Sequence, residues 1–274
     1  MISWLLAALV CLASDAECGW AGDDAQILQQ LDGGCALLFS ETEQGPTYLL
    51  LHGLNDRADS LARSLLVSEL RLAMRTGALP AGHILLPNGG GGYWTDWLDG
   101  TAGYERLVHD VINQVENQKK VEEVVAIGIS MGGFAALSIG LRYPNQIAKM
   151  VAFSPTDMML ATAQEPNRSW YTNVYGSPIH QPYVAARDPR QLVLRGAGKG
   201  QQIAIVIGDA EPEKFWLGVQ RFALTARAQG LDPSVRVVQG GEHSARLTWG
   251  SQSIAWVLDQ LSAWYYGEST QPPP

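Results

Sequence analysis

The stretch Ala126-Ile127-Gly128-Ile129-Ser130-Met131-Gly132-Gly133-Phe134, near the middle of the chain, brackets a single serine with glycines. An apolar run at residues 124–127 leads into the glycines, and an alanine-rich run at residues 134–141 follows them. The first run predicts a buried strand and the second a helix, so the serine lies on a sharp turn between them. Residues 128–132 also match G-x-S-x-G, the nucleophile elbow, whose serine is a nucleophile in this strand–turn–helix context. We therefore interpret Ser130 as a nucleophile rather than as part of an ordinary tight turn.

Strands and helices are predicted to alternate on both sides of this turn. Short apolar runs predict strands at residues 35–39, 48–51, 83–86, 124–129, 147–153, 203–207 and 235–238. Helical patterns predict helices at residues 24–31, 57–75, 104–115, 131–143, 215–229 and 251–265. Such alternation requires crossover connections, so we expect an α/β protein with a mostly parallel central sheet flanked by helices. Catalytic groups of such sheets lie beyond the carboxyl ends of the strands, where Ser130 falls.

The composition is that of one globular domain. The chain has 274 residues, of which 46% are hydrophobic and 17% charged, and it shows no internal repeat or linker. We expect a single domain over residues 17–268, with a small cap at residues 157–190 and a flexible tail at residues 269–274. The net charge of −8 offers no basic field for phosphates, so we expect no nucleic-acid partner.

The N-terminal segment has features of a secretory signal peptide. Residues 2–13 are almost wholly apolar, a run too short to span a bilayer, and Ser14-Asp15-Ala16 provides small residues for cleavage. Residues 1–16 are therefore predicted to be the signal peptide of a secreted or periplasmic protein without a membrane span. No Lys or Arg precedes the apolar run, so the alternative is a buried N-terminal helix in a cytoplasmic protein.

The cysteine count agrees with export. Cleavage after Ala16 would remove Cys11 and leave Cys18 and Cys35. In an oxidising compartment such a pair is expected to form a disulfide. The alternative is two unpaired thiols in a reducing cytosol.

A serine hydroxyl needs a base, and the base needs a carboxylate to orient it. On a turn of this kind the expected order along the chain is serine, acid, histidine. Two histidines follow the serine. His243 comes directly after the last predicted strand and before the final helix, whereas His180 lies in an irregular stretch, so His243 is the predicted base.

The acid is expected after the strand at residues 203–207, where Gly208-Asp209-Ala210-Glu211-Pro212-Glu213 contains three carboxylates. Glu211 stands three residues beyond the glycine, the usual position of the acid, whereas Asp209 is of the commoner residue type. Glu213 and, after the preceding strand, Asp157 are further alternatives. The sequence leaves this choice open.

Two backbone N–H groups are expected to form an oxyanion hole. One belongs to Met131, directly after the serine. The other belongs to Leu54, just after an apolar strand that finishes in His52-Gly53. His52 is interpreted as structural rather than as a base.

Three aromatic residues, Tyr93, Trp94 and Trp97, lie on a glycine-rich loop that follows a predicted strand. We predict that they bind substrate by stacking on a sugar ring or an aryl acid. The alternative is that they pack the loop against the domain.

Taken together, these residues resemble the esterase D branch of the α/β-hydrolase superfamily, which includes feruloyl and acetyl xylan esterases, S-formylglutathione hydrolases and mycolyltransferases. The resemblance covers residues 47–264 and rests on the elbow and three further segments: Pro87-Asn88-Gly89-Gly90-Gly91-Gly92-Tyr93-Trp94-Thr95-Asp96-Trp97, Arg142-Tyr143-Pro144, and Val237-Val238-Gln239-Gly240-Gly241-Glu242-His243-Ser244 with Trp249. Two departures are Glu211, where an aspartate is usual, and Glu242, inserted between the glycines and the histidine. The resemblance implies the α/β-hydrolase fold and serine ester chemistry through an acyl-enzyme, without a metal or organic cofactor.

We therefore expect a carboxylic ester hydrolase whose partner is a small-molecule or carbohydrate ester with a short-chain or aryl acyl group. One alternative is an acyltransferase with the same triad, which would shield its acyl-enzyme from water and admit an alcohol. Another is a noncatalytic binding module on this fold. Such a module would not need the serine, the histidine and the carboxylates together.

Overall fold

The computed structural model describes residues 18, 20, 24–29, 34–244 and 248–267. The predicted signal peptide at residues 1–16 and the predicted tail at residues 269–274 lie outside the described residues. Within them, eight strands form one sheet in the order β1-β2-β4-β3-β5-β6-β7-β8. The strands are β1 Gln26–Gln29, β2 Cys35–Ser40, β3 Gln44–Leu51, β4 His83–Pro87, β5 Lys120–Ile129, β6 Ile147–Phe153, β7 Gln202–Gly208 and β8 Ser234–Val238. The two pairings that involve β2 are antiparallel and the rest are parallel, which confirms the predicted fold class.

Helices cover both faces of the sheet. Those in the described part of the chain are α1 Ala58–Ala62, α2 Leu65–Thr76, α3 Tyr104–Gln118, α4 Met131–Arg142, α5 Met158–Gln164, α6 Ser169–Tyr175, α7 Gln181–Ala185, α8 Pro189–Leu194, α9 Glu213–Ala228 and α10 Ser251–Tyr266. Helices α1, α2 and α10 pack on one face, and the others on the opposite face. None of the described helices has the length and apolar character needed to cross a membrane.

The central strands are apolar on both faces because both faces are covered. In β3, Leu49 and Leu51 belong to the core on the α3–α9 side, whereas Tyr48 and Leu50 belong to the core on the α2–α10 side. All four side chains are fully buried. Successive residues of a strand point to opposite faces, so a strand covered on both faces requires a continuous apolar run. This is why the strand at residues 48–51 shows no alternation of polar and apolar residues in the sequence.

Two predicted helices differ from the structure. The sequence pattern predicts a helix at residues 24–31, but residues 26–29 form strand β1, in which Ile27 pairs with Leu37 of β2. Only Leu28 of this strand is buried, so the apolar pattern of the segment is weak. Its conformation is set by pairing with the edge of the sheet, which outweighs the local helical pattern. The predicted helix at residues 57–75 is two helices, because Ser64 caps the second by accepting a hydrogen bond from the Val67 N–H.

The segment 157–190, predicted to be a cap, contains α5, α6 and α7 and runs into α8. Its contacts with the rest of the domain include a hydrogen bond from the Tyr183 hydroxyl to the Asp96 carbonyl at 2.6 Å. Arg187 also lies 3.6 Å from the buried Glu105 carboxylate of α3. These contacts tie the segment to the domain, and its function as a cap stays a prediction.

Cys18 and Cys35 form a disulfide, as expected from the cysteine count. Cys35 is the first residue of β2, and both side chains are buried. The bridge therefore attaches Cys18, which precedes β1 in the chain, to the interior of the sheet.

Candidate active site

The turn between β5 and α4 holds Ser130 in an unusual backbone conformation, with φ 57° and ψ −113°. A non-glycine residue at positive φ costs of order 1–3 kcal/mol and persists only where its surroundings impose it. A Cβ on Gly128 would overlap the carbonyl oxygen of Gly132, and a Cβ on Gly132 would overlap that of Leu51. The Ser130 N–H donates to the Phe153 carbonyl of β6 at 2.8 Å. The glycines thus allow the chain to turn sharply enough to present the hydroxyl.

The loop after β8 brings His243 to this hydroxyl. Its Nε2 lies 2.9 Å from Ser130 Oγ, and its Nδ1 lies 2.7 Å from Glu211 Oε2. Phe215 stacks on the imidazole with ring centroids 3.9 Å apart, and Trp249 packs edge-on against it at 5.0 Å. The two aromatic rings and the two polar contacts together hold the imidazole in one plane.

The two carboxylates that the sequence favoured have different surroundings. Glu211 has a fully buried side chain whose Oε1 accepts from the Gly208 N–H at 3.0 Å and from the Ser154 hydroxyl at 2.6 Å. Asp209 is exposed, and its Oδ1 accepts from the Gly240 N–H at 2.7 Å. The structure therefore brings Glu211, and not Asp209, to the imidazole. Asp209 instead stabilises the turn at Gly240, which leads into the loop that contains His243.

The remaining polar alternatives lie elsewhere. Asp157 caps α5 by accepting from the Leu160 N–H at 2.8 Å, and Glu213 accepts from the Gln164 side chain at the same distance. His180 caps α7. None of the three contacts the imidazole of His243 among the bonds of the described residues.

The groups predicted to form an oxyanion hole lie beside the serine. Met131 is the first residue of α4, so its N–H has no partner within the helix. A Cβ on Gly53 would lie 3.6 Å from the Ser130 Cβ, which places the loop containing Leu54 against Ser130. The role of the two N–H groups stays a prediction.

His52 is fully buried and joins this loop to the glycine-rich loop after β4. Its Nε2 accepts from the Gly89 N–H at 3.1 Å, and its Nδ1 lies 2.8 Å from the Gly53 carbonyl, to which it donates. The His52 carbonyl accepts from the Trp94 indole at 3.1 Å. Burial lowers the pKa of His52 and keeps the ring neutral, so it suits the structural role expected for it.

The three aromatic residues of the glycine-rich loop pack in different ways. Tyr93 and Trp94 are 4% and 1% exposed, and Tyr93 packs against Phe134 of α4. Trp97 is half-buried and packs against Tyr104 of α3. Packing thus accounts for much of the surface of these side chains, and their role in substrate binding stays a prediction.

Two residues of the site, Ser154 and Phe215, are not predicted from the sequence. Ser154 follows β6, the strand between β5, which leads to Ser130, and β7, which leads to Glu211, so its place could be inferred only from the strand order. Phe215 lies in the first turn of α9 and looks like any apolar helix residue. Over the residues that the structure describes, no cluster of three or more His, Cys, Asp or Glu side chains is placed to hold a metal ion.

A family model described as "Putative esterase" matches residues 37–261. No curated protein sequence matches the chain at a significant level.

Solved structures match most of the chain. A ferulic acid esterase is 18% identical, with a TM-score of 0.67 over 86% of this chain and 96% of its own. An S-formylglutathione hydrolase from Agrobacterium tumefaciens is 16% identical, with a TM-score of 0.67 over 89% of this chain and 94% of its own. An S-formylglutathione hydrolase from Staphylococcus aureus is 16% identical, with a TM-score of 0.65 over 85% of this chain and 97% of its own. At these identities the similarity shows a shared α/β-hydrolase fold.

Proposed function

The chain belongs to this esterase family, and from that premise we propose that it hydrolyses carboxylic esters through an acyl-enzyme formed on Ser130. The observation that carries the proposal is the unbroken contact from Ser130 Oγ through His243 to Glu211, with distances of 2.9 and 2.7 Å. Nucleophile, base and carboxylate in such contact are the arrangement that activates a serine hydroxyl.

Acylation begins when the Ser130 oxygen attacks the ester carbonyl and His243 Nε2 takes the hydroxyl proton. The N–H groups of Met131 and Leu54 donate to the oxyanion, and losing one such donor typically costs about 10²–10³ in turnover. His243 then gives its proton to the departing alcohol. Water repeats the sequence on the acyl-enzyme with His243 as the base, which releases the acid and restores the serine.

Glu211 has two roles in these steps. Its Oε2 accepts from His243 Nδ1–H, which leaves the lone pair of Nε2 directed at the serine. When the imidazole becomes protonated, the carboxylate stabilises the positive charge. Glu211 stands where an aspartate is more common, and the Gly208 N–H at the start of the same turn holds its other oxygen, Oε1, at 3.0 Å.

The proposed substrate is an ester with a short-chain or aryl acyl group, including esters of sugars. The ferulic acid esterase among the structural neighbours supports the aryl class. We further propose that the protein is exported, and the Cys18–Cys35 disulfide supports this, since reducing compartments keep most thiols free.

Release of p-nitrophenol from p-nitrophenyl acetate and butyrate tests the proposal, with the wild type beside Ser130→Ala. We expect steady turnover by the wild type and loss of at least about 10³-fold in the variant, because the nucleophile is gone. Equal rates for the two proteins would overturn the serine mechanism. A serine-dependent burst of p-nitrophenol without steady release would contradict hydrolysis and indicate that the acyl-enzyme transfers its acyl group to an alcohol instead of to water.

A further inference from the structure

The far side of the Glu211 carboxylate makes contacts that the proposed mechanism does not use. Oε2 contacts His243, whereas Oε1 accepts from the Ser154 hydroxyl at 2.6 Å. The Trp249 indole N–H in turn donates to Ser154 Oγ at 2.8 Å. One chain of hydrogen bonds therefore runs from Trp249 through Ser154, Glu211 and His243 to Ser130.

The direction of this chain follows from the donors available. An indole nitrogen is a donor only, and a serine hydroxyl has one proton. Because Trp249 occupies a lone pair of Ser154 Oγ, the Ser154 proton is free to point at Glu211 Oε1. The carboxylate thus receives a donor whose orientation is already fixed.

The backbone places Ser154 between the nucleophile and the acid. It directly follows β6, its N–H donates to the Val206 carbonyl of β7 at 2.8 Å, and the preceding residue, Phe153, accepts from the Ser130 N–H. Ser154 is fully buried and has φ 49°, a left-handed conformation that is costly for a residue other than glycine. Residues strained in this way persist only where the surrounding structure imposes the conformation, and they cluster at functional sites.

A glutamate needs this support more than an aspartate does. Its side chain has one more rotatable bond, so the carboxylate has more orientations in which Oε2 misses the imidazole. The Gly208 N–H and the Ser154 hydroxyl both bond Oε1, which limits the carboxylate to the orientation that faces His243.

We propose that Ser154, oriented by Trp249, is a positioning residue that holds Glu211 in contact with His243. This inference rests on the proposed esterase function. Ser154 is buried, and its hydrogen bonds within the described part of the chain go to Glu211, Trp249 and Val206, none of which is proposed to bind substrate, so it is expected to act on turnover and not on binding.

The first test compares the steady-state kinetics of Ser154→Ala, Ser154→Gly and Trp249→Phe on p-nitrophenyl acetate. Both Ser154 variants are expected to lower kcat by about 10- to 100-fold with KM within about twofold, as the loss of a hydrogen bond to a charged group implies. Glycine accepts the positive φ, so Ser154→Gly separates loss of the hydroxyl from backbone strain. Trp249→Phe keeps a ring beside His243 without the N–H, and a loss of about 3- to 10-fold is expected.

Ser138→Ala is the matched control. Ser138 is a buried serine of α4 whose Oγ accepts a long bond of 3.4 Å from Arg142, two turns beyond the elbow. Its kcat should stay within about twofold of the wild type. Circular dichroism of each variant shows whether it is folded, and Trp249→Phe supplies the test if neither Ser154 variant folds.

A second test asks whether Ser154 acts through the acid. The rate at which a fluorophosphonate labels Ser130 is measured for Ser154→Ala in the wild type and in a Glu211→Ala background. The loss should vanish in the second background, because the partner of the hydroxyl is gone. Wild-type kcat in both Ser154 variants, or an equal labelling loss in both backgrounds, would overturn the inference. Failure of the esterase function would look different, since the wild type itself would then show no serine-dependent turnover.

Discussion

The charge on Glu211 can be removed without changing the shape of the side chain. In Glu211→Gln the amide occupies the buried site of the carboxylate but no longer carries the charge that faces His243 Nδ1 at 2.7 Å. With an effective dielectric constant of about 20, a carboxylate and an imidazolium at that distance attract by about 6 kcal/mol. A free energy of that size corresponds to about 10⁴-fold in rate. Part of it is offset by desolvation and by bonds that the amide keeps, so kcat on p-nitrophenyl acetate should fall by about 10³- to 10⁴-fold.

Asp209→Asn is the matched control two residues away. Asparagine keeps the oxygen that accepts from the Gly240 N–H, and the Asp209 side chain is exposed and bonds away from the imidazole. Its kcat should stay within about threefold of the wild type. A larger loss of kcat in Asp209→Asn than in Glu211→Gln would refute the assignment of Glu211 as the acid. Equal losses of kcat would show that both carboxylates contribute to stabilising the charge on the imidazole.

Three further predictions concern stability. Gly132→Ala should lower the free energy of unfolding by at least about 3 kcal/mol, measured by urea denaturation, because its Cβ would overlap the Leu51 carbonyl oxygen; full stability would contradict the close approach at the elbow. Reducing the Cys18–Cys35 bridge should cost about 3 kcal/mol for a sequence separation of 17, and an unchanged urea midpoint in dithiothreitol would contradict this. Burial raises the pKa of Asp188 from 3.8 to about 6. Between these two pH values the folded state keeps the carboxyl proton that the unfolded chain has lost, so the free energy of unfolding falls as pH rises from 3.8 to about 6. Asp188→Asn should remove that decline and be more stable than the wild type at pH 8 by roughly 1–3 kcal/mol; a variant that declines as steeply as the wild type would be the contrary result.

The central strands could be predicted because their environment is the same on both sides. Strands β3, β5 and β6 lie between two layers of helices, so their buried segments at residues 48–51, 124–127 and 150–153 are apolar without alternation and stand out in the sequence. Strand β1 could not be predicted in this way. It lies at the edge of the sheet, three of its four residues are exposed, and it forms by pairing with β2, which the local sequence does not encode.

The residues of the site also differ in whether the sequence could predict them. Ser130 and His243 follow from the order of segments along the chain, since Ser130 directly follows β5, His243 lies in the loop after β8, and the carboxyl ends of parallel strands meet at one edge of the sheet. The choice between Glu211 and Asp209 depends on the conformation of the turn after β7, in which the two side chains point to different partners. The contact of Ser154 with the acid depends on the order of β5, β6 and β7 in the sheet, a property of the fold as a whole.

The central claim is that Ser130 carries the acyl group during turnover. Wild-type protein mixed with p-nitrophenyl acetate and quenched in acid within the first turnovers can be digested and sequenced by tandem mass spectrometry. One acetyl group on Ser130 is the predicted result, with none on Ser138 of the same helix and none on the elbow peptide of Ser130→Ala. Turnover without acetyl on Ser130, or acetylation of that peptide at another residue, would contradict the account.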